Sequence, residues 1–103
     1  MDLEKRGATA SHASLFFKLC SDHLSIEAIP RRAARIDLAR LKGQSLPGLE
    51  LMLWTPPFVV LRTREGYEVT LRRDGRMVIR RAPSEQAAEK TANDVMSLVA
   101  GLS

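Results

Sequence analysis

Two residues, Asp74 and Gly75, constrain this chain more than any others. They separate Tyr67–Arg72 from Arg76–Arg81, two stretches in which apolar and polar side chains alternate, and Asp-Gly between such stretches is among the strongest short-range signals for a β-hairpin. The same punctuation recurs upstream. Glu65-Gly66 forms a turn before the hairpin, Phe58–Thr63 is rich in β-branched residues, Pro56-Pro57 breaks it from Leu49–Trp54, and Pro47-Gly48 forms the turn before that. The pattern predicts an antiparallel meander of four strands.

Pro83-Ser84-Glu85 then opens a different period. Ser84 can cap the first free amides of a helix, and Glu85 suits the positive end of its dipole. Ala88, Ala92, Val95, Val99 and Leu102 recur at spacings of three or four, which predicts a helix to about Ala100 with one stripe against the sheet.

The first half of the chain is less constrained. Met1–Ala10 is polar and aperiodic and reads as a flexible N-terminal arm, leaving 11–103 as one domain. Ser14–Cys20 is apolar and short enough to be a strand or a helix. Pro30–Leu41 reads as helical, because Pro30 suits a first turn, Ala, Arg and Leu are good helix formers, and Gly43 supplies a stop. The expected class is α+β: a two-layer domain with a mainly antiparallel sheet and two helices packed on one face. A chain of 103 residues has material for one modest core.

Alternation divides each strand into two sets. Val59, Leu61, Val69, Leu71, Met77 and Ile79 form the core set, since burying each contributes about 1.5–3 kcal/mol. The opposite set reads Val60, Arg62 and Arg64, then Glu68, Thr70 and Arg72, then Arg76, Val78 and Arg80. Five arginines meet one glutamate there, a positive face with small apolar patches at Val60 and Val78. Arg62, Arg64, Arg72, Arg76 and Arg80 are therefore candidate nucleic-acid contacts, with phosphate as the ligand. The same residues also fit a solvated outer face paired with Glu68 and Asp74, or the interface of a homodimer or protein complex. Arg31, Arg32, Arg35 and Arg40 would form the solvated side of the Pro30–Leu41 helix, away from the sheet arginines if both helices share one layer.

Some of these motifs resemble one half of the saddle-shaped TATA-box-binding protein fold. Asp74-Gly75-Arg76-Met77-Val78, followed by Ala82, Ser84 and Glu85, is similar to that family's Ser-Gly-Lys-Met-Val turn and Ala-x-Ser-Glu helix start, and Leu46-Pro47-Gly48-Leu49 is similar to its Phe-Pro-Gly-Leu. The resemblance covers Leu46 to about Val99 and implies a strand over Ser14–Cys20 and a helix over Pro30–Leu41. The family holds two repeats in one chain, so a saddle here implies a homodimer. Arg72 stands where the family has a DNA-kinking Phe, and Arg81 where it has Gly, which argues against minor-groove kinking and for contact with backbone phosphates.

No catalytic centre, cofactor or metal is expected. His12 and His23 lack zinc-site spacing, Cys20 lacks a neighbour that would activate it, the glycines sit at turns, and the carboxylates form no acid–base pair. Trp54 and Tyr67 could stack bases, but each better suits the core edge or the strand rim, and no stacking platform is evident on the sheet. With 16 Lys and Arg against 12 Asp and Glu, the net charge of +4 permits an anionic partner without requiring one. One cysteine suits a reducing compartment, so the cytoplasm is expected, and no segment reads as a signal or membrane span.

Overall fold

The computed structural model describes residues 15–20, 25–32, 34–43 and 46–100. The expected arm over Met1–Ala10 lies outside these residues. The chain forms β1 (Leu15–Leu19), β2 (Ser25–Pro30), β3 (Leu49–Trp54), β4 (Phe58–Thr63), β5 (Glu68–Arg72), β6 (Met77–Arg80) and a helix, α1 (Glu85–Ala100). The strands make one antiparallel sheet in the order β1-β2-β6-β5-β4-β3.

The four-strand meander forms where the turn residues place it, and two of its hairpins are built alike. The N–H of Thr63 donates to the carbonyl of Tyr67 and that of Arg72 to Arg76, each at 2.9 Å. Gly66 and Gly75 occupy the positive-φ position in each turn, at 96° and 88°. The Asp74 carboxylate accepts from the Arg76 N–H at 3.1 Å, the local side-chain bond that favours Asp in such a turn.

The core set is buried as expected: Val59, Leu61, Val69, Leu71, Met77 and Ile79 are all at most 2% exposed. Over them lies α1, through Ala88, Ala92, Val95, Met96 and Val99. Its start follows the sequence signal, with Ser84 Oγ accepting from the Ala87 N–H at 3.1 Å. Leu102, expected in the same stripe, lies outside the described residues.

One expectation is corrected. Among the described residues there is one α-helix, not two helices on the sheet. Pro30–Leu41 is not helical: Pro30 closes β2 opposite Leu15, 34–37 is non-helical, and only Leu38–Leu41 coils, as a single 3₁₀ turn capped by Asp37. Helix propensity is a weak prior, and here tertiary contacts override it. Ile36 and Leu38, two residues apart, are both buried, a spacing that suits extended chain, and the Ile36 N–H donates to the Arg73 carbonyl at 2.8 Å. This crossover from β2 towards the far edge of the sheet supplies Ile36, Leu38 and Leu41 to the core in place of a second helix.

The N-terminal half, where Ser14–Cys20 suits a strand or a helix equally, forms the strand β1 over Leu15–Leu19, and Ser25–Pro30 forms β2, which lies inside the sheet between β1 and β6. Ile26 and Ala28 of β2 pair with Ile79 and Met77 and complete the core there.

Candidate interaction face

The face of the sheet away from α1 carries no element over it among the described residues. Strand register sorts its side chains into three rows running across the strands. One row reads Arg80, Glu68, Arg62, Glu50 from β6 to β3, each directly opposite the next. The middle row reads Lys18, Glu27, Val78, Thr70, Val60, Leu53 from β1 to β3. The third has Phe16 opposite Ile29 at one end and Phe58 opposite Arg72 at the other.

Four of the five candidate arginines share this side or its end. Arg62 donates to Glu50 at 3.1 Å, Arg72 donates to Asp74 at 2.8 Å, and Arg76 lies 3.8 Å from Glu27 and 3.9 Å from Asp74. Arg80 is exposed and makes no ion pair with a described acidic residue. Glu68, half-buried between Arg62 and Arg80, also pairs with Arg81 at 3.9 Å. Arg64 does not join them: it sits in the turn after β4, its N–H donates to the Gly48 carbonyl at 3.1 Å, and it lines a groove beside α1 with Lys90 and Asp94.

The face is therefore a mixed surface, not a positive one. Sequence reasoning missed Glu27 because β2 was not legible, and Glu50 because a lone Glu in an apolar strand has no visible partner until β3 and β4 are in register. The apolar content was also underestimated. Besides Val60 and Val78, the face presents Leu53 at 49% exposure, Phe16 at 41%, and the half-buried Ile29 and Phe58. Leu53 reaches this side because a bulge between Leu51 and Leu53 shifts the register of β3.

Neither aromatic suggested for base stacking is available on the face. Trp54 pairs with Val59 on the core side, packs against the core and donates its indole N–H to the Leu38 carbonyl at 2.8 Å. Tyr67 lines the groove beside α1. On α1 itself, the Asp94 carboxylate accepts a 2.8 Å hydrogen bond from Lys90 and holds that ammonium above its ordinary 10.5, an exposed surface pair.

Among the described residues, no group of three or more His, Cys, Asp or Glu could hold a metal ion, and no helix is long and apolar enough to cross a membrane. His12 and His23 lie outside the described residues. Compared with known proteins, the chain matches no family model, no curated protein and no solved structure.

Proposed function

We propose that this chain is a non-enzymatic assembly module whose uncovered sheet face packs against the same face of a second copy. The observation that carries the reading is the apolar lane Leu53, Val60 and Val78, with Thr70 between, flanked by a row that alternates in sign. An isologous pair needs a surface complementary to itself. A two-fold axis along the strands, between β5 and β6, sets Arg80 of each copy opposite Glu68 of the other, Ile29 opposite Phe58 and Val78 opposite Thr70, while Glu27 and Lys18 reach over Val60 and Leu53 towards the margins.

Six strands about 4.8 Å apart give a face roughly 24 Å wide, room for a small interface. A reducing compartment, with the cytoplasm as the simplest case, suits the single cysteine.

Sedimentation equilibrium across the micromolar range tests the proposal. The wild-type chain is expected to shift towards a dimer with concentration, and a Val60→Glu, Val78→Glu variant to stay monomeric while remaining folded. A wild-type chain that is monomeric throughout overturns it. Nucleic-acid contact through Arg62, Arg72, Arg76 and Arg80 is the second reading of this face, and the unpaired Arg80 is the observation in its favour.

A further inference from the structure

The strongest concentration of positive charge lies at one end of the sheet, not on its face. The turn of the β5–β6 hairpin carries Arg72, Arg73 and Arg76, and the crossover after β2 carries Arg31, Arg32, Arg35 and Arg40. All seven are exposed, against two aspartates in the same two segments, Asp37 and Asp74. The excess of five positive charges is larger than the +4 of the whole chain.

Tertiary contacts hold these segments together. The Ile36 N–H donates to the Arg73 carbonyl at 2.8 Å, and the Arg73 N–H donates to the Pro57 carbonyl at 3.1 Å. At Gly75 the hairpin turn lies so close to the crossover that a Cβ would stand 3.0 Å from both Ala34 Cβ and Pro30 Cγ. One shallow depression is lined by Arg31, Arg32, Asp74 and Arg76, and a second by Arg35, Arg40, Trp54 and Arg73. The arginines thus ring the end of the sheet on both sides of the hairpin.

Part of this charge is compensated locally and part is not. Arg72 and Arg76 share Asp74, Arg40 pairs with Asp37 at 3.6 Å, and Arg31 lies over the ring of Phe16 at 5.6 Å. Arg32, Arg35 and Arg73 make no ion pair with a described acidic residue.

We propose that this arginine rim is a nucleic-acid-binding site that contacts the phosphate backbone without reading sequence. From β2 to β4 the rim crosses roughly 14 Å at ~4.8 Å per strand, the length of about four nucleotide steps of one duplex strand at ~3.4 Å. Guanidinium is the side chain suited to phosphate oxygens, offering a planar fork that can bind two at once. Base stacking has no apparatus here: the one aromatic residue in the two depressions is Trp54, whose indole N–H is engaged by Leu38 and whose ring is covered by Lys42 at 4.4 Å. The rim shares Arg72 and Arg76 with the end of the sheet face, whereas Arg32, Arg35 and Arg73 belong to the rim alone and therefore separate the two proposals.

Fluorescence anisotropy with a labelled duplex DNA, a duplex RNA and vesicles containing phosphatidylserine, in a salt series, tests the site. The wild-type chain is expected to bind both duplexes with little sequence preference, and four phosphate contacts set a slope of log K against log salt near about −3.6. Arg32→Gln, Arg35→Gln, Arg73→Gln should weaken binding by about tenfold or more and flatten the slope, while Arg62→Gln, Arg80→Gln on the sheet face should change it less than about twofold. Circular dichroism confirms that both variants are folded, and glutamine keeps a polar side chain while removing the charge. Unchanged binding by the rim variant, loss confined to the face variant, absence of binding at low salt, or binding to vesicles alone would each overturn the proposal.

Discussion

The indole N–H of Trp54 donates to the carbonyl of Leu38 across 2.8 Å, tying the end of edge strand β3 to the 3₁₀ turn of the crossover. This bond, with Lys42 stacked on the same ring, anchors the segment that replaces a second helix. Trp54→Phe keeps an aromatic ring and deletes the donor, so the part-buried Leu38 carbonyl loses its side-chain partner. The expected loss is about 1–2 kcal/mol, read as a lower urea midpoint at unchanged m-value.

Gly75→Ala should be more damaging than Gly66→Ala, although both residues occupy positive φ in similar turns. The left-handed backbone costs a side chain about 1–2 kcal/mol at either site. At Gly66 nothing stands within 4 Å of the added methyl, whereas at Gly75 it meets Ala34 and Pro30 at 3.0 Å. Thermal denaturation of the two variants should show the larger fall in Tm for Gly75→Ala, and equal falls would mean that hairpin and crossover are not in close contact.

The non-helical course of the crossover has a direct spectroscopic consequence. Backbone chemical shifts of Ala34–Asp37 should lie off the helical side of random coil, and those of Glu85–Ala100 firmly on it. Helical shifts through Pro30–Leu41 would restore the two-helix arrangement.

Leu71 and Leu53 lie on opposite sides of the sheet, and truncation separates their roles. Leu71 is 0% exposed, so Leu71→Ala should cost about 2–5 kcal/mol, visible as a reduced urea midpoint. Leu53 is 49% exposed, and Leu53→Ala should cost less than about 1 kcal/mol in the monomer while weakening self-association in the ultracentrifuge.

Where a turn residue has one conformational use, sequence and structure agree. Asp74-Gly75 and Glu65-Gly66 place their hairpins, Ser84 caps α1, and alternation selects the core side of β4, β5 and β6. Where a segment depended on propensity, they part. Ser25–Pro30 joins the sheet by pairing with β1 and β6, and no pattern in six residues announces partners that are ten and about fifty positions away.

The candidate site divides along the same line. Alternation by itself determined that Arg62, Arg72 and Arg80 point away from the core, because the two-residue period of a strand is local. It could not determine what stands beside them. Glu50 arrives through pairing of β3 with β4 and Glu27 through β2, and only those registers set carboxylates beside Arg62 and Arg76. The arginine rim is wholly a product of tertiary structure: Arg31–Arg40 and Arg72–Arg76 lie more than thirty residues apart and meet because Gly75 leaves room for the crossover to lie against the hairpin. Local period and turn chemistry follow from neighbours in the chain, whereas charge compensation and charge concentration depend on which segments fold side by side.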